Sequence, residues 1–273
     1  MMINTSKIAI ITTVINWDLY DKSSQYFPNH TDKYVIDGTE GMHGIDSIYY
    51  MMKKFQNLDY DWLIMVDEDV LFLESNGVFE IIEYMHAKNY IVCGVRDGGE
   101  IGIRSFSPYV INTFFSIINL KKLKVIWDKE EVSKNQYFIT NEFKDELSGL
   151  KEMFDEESLY EPYYRFYFWL RRKGEKILFL NAETPFEDKI TTLVSTPNNI
   201  NLLFHTWYAR AYGNNEKHTK RIDKIFDLLY FNNTKEEKIV VWKDRTYFLR
   251  KFFRKVKKRI QMRLEKNYII CRY

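Results

Sequence analysis

Short apolar runs alternate with amphipathic segments along the first third of this chain. A run such as KIAIITTV is rich in β-branched residues and too short for a buried helix, so it predicts a buried parallel strand. Strands are predicted in this way at Lys7 to Val14, Tyr34 to Ile36, Asp61 to Val66 and Tyr90 to Val95. Apolar residues at spacings of three and four predict helices from Gly44 to Phe55 and from an N-cap at Ser75 to Ala87.

The pattern is looser from Arg96 onward, where a glycine pair, a proline and mixed aromatic and polar residues predict loops and a short helix up to Leu123. The remaining predictions are an exposed turn or helix at Glu142 to Glu157, an aromatic helix at Glu161 to Lys173 with Pro162 at its first position, a strand at Lys176 to Leu180 and a short helix at Asp223 to Tyr230. Strands that alternate with helices predict an α/β fold with a mostly parallel, doubly wound sheet.

The end of the chain follows a different pattern. Leu249, Phe252, Phe253, Val256 and Ile260 fall at helical spacings, and basic residues fill most of the positions between them. We therefore predict two parts, an α/β domain at 1–240 and a basic amphipathic helical tail at 241–273.

The composition limits the classes of protein to which this chain can belong. With 273 residues, 45% of them hydrophobic and 29% charged, the chain can bury a sizeable core. No apolar stretch reaches the ~20 residues that cross a bilayer, and the N-terminal run lacks the basic start and cleavage site of a signal peptide. The two cysteines, Cys93 and Cys271, form no disulfide framework. A reduced, cytoplasmic compartment is therefore expected.

Charge is unevenly distributed along the chain. Residues 243–266 carry eleven Lys or Arg against two acidic residues, which leaves about −7 on the rest of a chain whose net charge is +2. A basic amphipathic helix of this kind favours the surface of an anionic membrane. A nucleic-acid patch is disfavoured because the acidic body would repel a phosphate backbone and no recognition motif is present. Packing of the apolar stripe onto the body is the other alternative.

The acidic triplet Asp67-Glu68-Asp69 follows directly after the predicted strand DWLIMV. Because side chains alternate along an extended chain, Asp67 and Asp69 are expected on the same side and Glu68 on the other. Two adjacent carboxylates repel each other, and a hard divalent cation relieves that repulsion. Ligands of doubly wound sheets bind outside the carboxyl ends of the strands, which is where the triplet lies. An isolated Asp-x-Asp is also typical of an acidic turn or a helix cap.

With a nucleotide-fold start at the N-terminus, the apolar strand before the triplet and VLFL after it, the first two thirds of the chain resemble the GT-A glycosyltransferases. The resemblance implies that Asp69 ligates Mn²⁺ or Mg²⁺ and that Asp67 contacts the ribose or the metal. It also implies that the segment after the first strand holds the nucleotide, with Trp17 and Tyr20 as stacking partners and Asp18 as a polar contact. Trp17 and Tyr20 are equally typical of surface or core aromatics.

The resemblance extends to residues later in the chain. Many GT-A enzymes use a late histidine as a further metal ligand, and His205 in FHTWYARAYG matches that placement, although a hydrogen-bonded structural histidine is the alternative. Arg210 can fork onto phosphate oxygens, or form a surface salt bridge. Glu161 resembles in placement the catalytic base of inverting members, with Asp155, Glu156 and Glu157 as competitors.

Asp97, beside the pair Gly98-Gly99, is expected to hydrogen-bond donor-sugar hydroxyls, since paired glycines let a backbone approach a ligand closely. A tight turn alone also explains these glycines.

The function implied is transfer of a sugar from a nucleotide-diphosphate donor, expected to be a UDP-sugar, to a glycan or lipid-linked glycan acceptor. Assembly of cell-surface polysaccharide at the inner face of the cell membrane is the expected setting. Two alternatives remain open from the residues: a Mg²⁺-dependent nucleotidyl- or phosphotransferase, although no GxxxxGK[ST] loop is present, and a non-catalytic carbohydrate-binding protein.

Overall fold

The computed structural model describes residues 4–229 and 238–270, and its description of side chains leaves out 258 and 261–270. The strands are β1 Ile8–Val14, β2 Asp32–Asp37, β3 Trp62–Val66, β4 Val70–Phe72, β5 Tyr90–Arg96, β6 Gly98–Ile101, β7 Arg104–Ser105, β8 Ile111–Asn119, β9 Lys176–Phe179, β10 Ala182–Glu183, β11 Thr192–Ser195, β12 Asn201–His205 and β13 Ile239–Trp242. The helices are α1 Trp17–Ser23, α2 Ile45–Phe55, α3 Gly77–Lys88, α4 Leu120–Ile126, α5 Lys129–Lys134, α6 Tyr164–Arg172, α7 Glu216–Phe226 and α8 Tyr247–Ile270.

The central sheet has the strand order β13-β2-β1-β3-β8-β5-β9. Every neighbouring pair in it is parallel except the two that involve β8, which runs antiparallel to both β3 and β5. The predicted α/β fold with a mostly parallel sheet is therefore confirmed. Because β1, β2 and β3 run in the same direction, their carboxyl ends meet at one edge of the sheet.

The strand β1 is apolar from Ile8 to Ile11, where both of its faces are covered, and has two threonines before Val14. Ala9 and Ile11 join the core beneath α2 and α6, whereas Ile8 and Ile10 join the core beneath α3 on the opposite face. Successive side chains of a strand point to opposite faces, so a doubly covered strand needs apolar residues at every position. This is the physical basis of the continuous runs in the sequence.

The segment predicted as loops and a short helix up to Leu123 is largely extended. It forms the hairpin β6-β7 and the long strand β8, and only α4 agrees with the prediction. Its strand residues INTFFSIIN are mostly buried, because β8 fills the gap between β3 and β5. The Asn and Thr residues interrupt the continuous apolar run from which the other buried strands were predicted.

Two helix boundaries also differ from the prediction. The aromatic helix α6 begins at Tyr164 rather than Glu161. Glu161 lies in the turn before the helix, and its backbone carbonyl accepts from the Tyr164 amide. The helix predicted at Asp223 to Tyr230 begins earlier, at Glu216 behind an Asn215 cap, and ends at Phe226. Tyr230 lies outside the described residues, as does Cys271.

A smaller antiparallel sheet, β10-β11-β12-β4, stands beside the central one. Its strand β4 follows directly on the acidic triplet, and β12 is the apolar run that precedes the late histidine. The register pairs Val70 with His205. This pairing brings two segments that are far apart in the sequence to one point.

The final helix α8 contacts the body through a polar face. Tyr247, Lys251 and Arg254 bond to Gly41 and Asp46, while the apolar stripe is turned away from the body. Leu249, Phe252, Phe253 and Ile260 are 54 to 65% exposed, so packing of this stripe onto the body is wrong. No helix within residues 4–229 and 238–270 combines the length and the apolar character needed to cross a membrane.

The predicted division between residues 240 and 241 falls inside β13, which pairs in parallel with β2. The tail as a separate unit stays a prediction.

Candidate active site

A cavity of about 520 Å³ opens at the edge of the sheet where β1, β2 and β3 end. It is lined by side chains from distant parts of the sequence, among them Asp67, Asp69, Asn112, Glu161, His205 and Arg210. Most of the predicted chemistry is thus brought to one place. The position follows the rule that α/β sheets bind ligands beyond the carboxyl ends of their strands.

Asp67, Asp69 and His205 form a compact cluster at the wall of this cavity. Each offers one ligand atom, and these atoms lie within 4.8 Å of one another. Nε2 of His205 lies 3.2 Å from Oδ1 of Asp69. Two carboxylates and an imidazole form a ligand set that suits Mn²⁺ and related divalent cations.

His205 is fixed by the rings around it. Phe114 stacks on one side with 4.1 Å between ring centroids, and the Trp207 ring lies at the same distance. Nδ1 of His205 is buried and has no hydrogen-bond partner among the described residues. The placement of Nε2 beside Asp69, within the compact cluster, is what favours a ligand role.

The acidic triplet is a tight turn between β3 and β4. Burial, together with the neighbouring charges of Asp69 and Glu68, raises the pKa of the Asp67 carboxyl well above its ordinary range. Burial, followed by the charge of Asp69, raises the pKa of Glu68 to about 7. Such crowding of acids is what a bound cation relieves, so the cluster fits the metal that the sequence predicts.

Glu68 has a structural role that the sequence did not indicate. Its Oε1 accepts the backbone amides of Ile15 at 3.0 Å and Asn16 at 3.2 Å. The side chain thus ties the end of β1 to the triplet. This fixes the loop that begins the predicted nucleotide segment against the predicted ligands.

The loop after β12 is held by residues that sequence analysis missed. Thr206 donates its amide and its hydroxyl to the backbone carbonyl of Asp69, at 2.9 and 3.1 Å. Arg221 on α7 donates to the carbonyls of Thr206 and Trp207. Trp207 and Tyr208 both have positive φ, at 60° and 66°, a conformation that non-glycine residues rarely adopt. These contacts keep the strained loop beside the ligands.

The predicted nucleotide-binding residues do not all reach solvent. Trp17 and Asp18 line a second cavity of about 480 Å³ together with Arg210 and Tyr212, and Arg210 also lines the first. Tyr20, by contrast, is 1% exposed and packs edge-on against Trp17 and Phe27. A stacking role for Tyr20 is therefore wrong, because its ring belongs to the core.

Asp97 does not reach the cavity. It is fully buried, and its carboxylate accepts from Arg104 at 2.7 and 2.8 Å, from Asn112, and from the Tyr163 and Tyr164 hydroxyls. A carboxylate whose oxygens are satisfied in this way has no free acceptor for a sugar hydroxyl. The predicted sugar contact is wrong, and Asp97 instead fixes the Arg104 guanidinium.

Glu161 does lie in the cavity wall, with its carboxylate 3.4 Å from the Arg104 guanidinium. Its competitors are engaged elsewhere: Asp155 accepts the Glu157 amide, Glu156 accepts the Tyr109 hydroxyl and Glu157 accepts the Thr140 hydroxyl. Glu161 is thus the carboxylate of this group that lines the same cavity as the predicted metal ligands. His43 also lines the cavity, and burial beside Arg210 lowers its pKa.

Comparisons with known proteins give only weak likenesses. No family model and no curated protein matches the sequence. A mannosyltransferase from Pyrobaculum calidifontis, solved with GDP-Man and Mn²⁺, is 8% identical over 45% of this chain and 47% of its own, with a TM-score of 0.29. Drosophila β1,4-galactosyltransferase 7, solved with manganese, UDP-Gal and xylobiose, is 13% identical over 84% of this chain and 82% of its own, with a TM-score of 0.39.

A third structure, the glycosyltransferase GlyE of Streptococcus pneumoniae, is 11% identical over 85% of this chain and 66% of its own, with a TM-score of 0.35. This chain spans about half the length of the mannosyltransferase. Likenesses this weak decide neither the fold nor the activity, so the function has to be taken from the site itself.

Proposed function

We propose that this protein is a metal-dependent glycosyltransferase that moves a sugar from a nucleotide-diphosphate donor to a glycan acceptor. The observation that carries the proposal is the Asp67, Asp69 and His205 cluster, which shares one cavity with Arg210 and Glu161. A cation site, an arginine and a carboxylate in one cavity are groups that this reaction requires.

Each group has a role in the proposed reaction. Asp67, Asp69 and His205 would hold Mn²⁺ or Mg²⁺, which when bound neutralises charge on the diphosphate. Arg210 lies between the two cavities and would bind phosphate oxygens, while Trp17 and Asp18 line the space for the nucleoside.

In this reaction the acceptor hydroxyl oxygen forms a bond to the anomeric carbon of the donor sugar. The bond from that carbon to the diphosphate oxygen breaks, and the nucleoside diphosphate leaves with the bonding electrons. The hydroxyl proton passes to Glu161 if the enzyme inverts the anomeric configuration. NMR of the product linkage distinguishes inversion from retention.

Binding of nucleotide sugars tests the proposal. UDP- and GDP-linked sugars are titrated by calorimetry with Mn²⁺ or Mg²⁺, and donor hydrolysis is then followed. Asp69→Asn should abolish metal-dependent binding, because it removes a ligand charge. Asp61→Asn is the matched control, since Asp61 lies just before β3, at the end away from the cavity, and its side chain pairs only loosely with Lys121 at 3.8 Å. The proposal fails if no nucleotide sugar binds with either metal.

We further propose that the acceptor is lipid-linked and that α8 lies on an anionic membrane surface. Support comes from the exposed Phe248, Leu249, Phe252 and Phe253, which are flanked by basic residues. Phe252→Ser with Phe253→Ser should reduce flotation with vesicles that contain phosphatidylserine. Val125→Ser, at a residue 84% exposed on the body, should leave flotation unchanged. Equal flotation of both variants would refute membrane docking by this face.

A further inference from the structure

Tyr160 is an exposed aromatic residue whose ring is nevertheless held in place. The side chain is 64% exposed, and its ring lies flat on that of Phe106, with centroids 4.1 Å apart and an interplanar angle of 8°. The Arg104 guanidinium also lies against the Phe106 ring, 4.5 Å from its centroid. One face of Tyr160 is therefore packed, while most of the residue is left to solvent.

The backbone on either side of Tyr160 is fixed as well. The side-chain amide of Gln136 bonds to both neighbours of Tyr160: its Nε2 donates to the carbonyls of Leu159 and Glu161, each at 3.1 Å. Oε1 of Gln136 in turn accepts from Nε of Arg165 on α6. Ordering an aromatic side chain without burying it loses conformational entropy and gains little from the hydrophobic effect. Such a ring is prepared for a further contact.

The ring also stands next to the proposed reaction site. Tyr160 is adjacent in sequence to Glu161, and Arg104 approaches both, at 3.4 Å from the Glu161 carboxylate and 6.0 Å from the Tyr160 ring centroid. Arg104 is itself held rigidly by the bidentate bond to buried Asp97. The Tyr160 ring therefore lies close to Arg104, and both Arg104 and the neighbouring Glu161 line the cavity.

We infer that Tyr160 is the stacking platform for the sugar ring of the acceptor. The apolar C–H face of a pyranose would lie on the open face of the Tyr160 ring, and its hydroxyls would lie within reach of Glu161 and Arg104. Few, well-placed polar groups beside an apolar surface are the usual composition of a small-ligand site. The inference rests on the proposed function and adds the acceptor class, a pyranose-ended saccharide.

The test separates acceptor from donor. With the donor identified as above and Mn²⁺ present, a panel of methyl α- and β-pyranosides is used as acceptor probes. Tyr160→Ala should raise the acceptor KM about tenfold, the size expected for loss of one stacking contact, and leave donor binding and donor hydrolysis unchanged. Tyr160→Phe keeps the ring and should stay near the wild type.

Tyr137→Ala is the matched control, because Tyr137 is 43% exposed and its ring stacks on Arg172. An unchanged acceptor KM in Tyr160→Ala overturns the inference, and so does a wild type that binds none of the pyranosides. A loss of donor binding in Tyr160→Ala also overturns it, since the ring would then serve the donor. Failure of the wild type to bind any nucleotide sugar instead contradicts the proposed function.

Discussion

Gly98 and Gly99 lie where the β6-β7 hairpin packs closely against other parts of the chain. A Cβ placed on Gly98 would stand 1.9 Å from the Phe106 carbonyl oxygen, and Gly99 has a φ of +90° beside Leu150. The close approach is therefore to the chain's own backbone and not to a ligand. Gly98 allows the β6-β7 hairpin to close and so brings Arg104 to Asp97.

Gly98→Ala should consequently lower the free energy of unfolding by about 3 kcal/mol. The added Cβ would clash with the Phe106 backbone, which cannot move aside as the end of a flexible side chain can. Urea unfolding measures this change. Gly149→Ala is the control, since an added Cβ there meets nothing within 4 Å, and it should change stability by less than about 0.5 kcal/mol. Similar values for the two variants would contradict the steric explanation.

At the scale of elements, α7 supports the candidate metal site without contacting it. Besides the carbonyls of Thr206 and Trp207, Arg221 donates to the Thr191 hydroxyl at 2.8 Å and pairs with Asp188 at 3.4 Å. One guanidinium thus connects α7 both to the loop that follows His205 and to the segment before β11. We expect this connection to help position the imidazole.

Arg221→Met should weaken Mn²⁺ binding about tenfold, the usual effect of removing a group that orients a ligand. Calorimetry measures the affinity, and circular dichroism checks that the helix persists. Lys220→Met is the neighbouring control, because Lys220 is exposed and, within the described part of the chain, its ion pair is with Glu216 on its own helix. Wild-type affinity in Arg221→Met would mean that the loop holds His205 without help from α7.

The contact of α8 with α2 is the second relation between elements. Arg254 forks onto Asp46 at 2.8 and 2.9 Å, and the Tyr247 hydroxyl donates to the same carboxylate at 2.7 Å. Burial of Asp46 would raise its pKa, but the bonds from Arg254 and Tyr247 outweigh it and hold the pKa below the ordinary 3.8. Asp46 follows directly on the loop that carries His43 and Gly44 into the cavity wall.

Asp46→Asn should therefore lower stability by about 1 kcal/mol at neutral pH, since Arg254 is half exposed and solvent screens the pair. A carboxyl with a lowered folded pKa stabilises the fold above its unfolded pKa, and this contribution is lost as pH falls through the folded value. The difference between wild type and variant should shrink below about pH 3.8. Urea unfolding at several pH values measures it, and a difference that is independent of pH would contradict the ion pair.

At the scale of the whole molecule, charge is separated between an acidic body and the basic segment 243–266. Anionic membranes attract such a segment, and salt screens the attraction over a Debye length that falls from ~10 Å at 0.1 M to ~3 Å at 1 M. Association with phosphatidylserine vesicles should therefore weaken several-fold across that range. Co-sedimentation measures it, and binding that is insensitive to salt would argue against an electrostatic contribution.

Elements whose pattern is local could be predicted from the sequence. Continuous apolar runs identified β1, β3 and β5, because strands covered on both faces admit few polar residues. The position of Asp67 and Asp69 after β3 followed from the same pattern, and the amphipathic tail from its helical spacing. In each case neighbouring residues carry the whole signal.

Which distant residues meet became evident from the fold. The antiparallel pairing of β12 with β4 brings His205 close to Asp69. The β6-β7 hairpin places Arg104 so that it binds the Asp97 carboxylate, which therefore cannot bind a ligand. Tyr20 is likewise removed from the candidate site by the core around it. These outcomes depend on strand register and on packing between remote segments, for which a single sequence carries no local periodicity. The acidic triplet was thus visible in the sequence, and the resemblance predicted His205 as a further ligand, whereas their proximity follows from the fold.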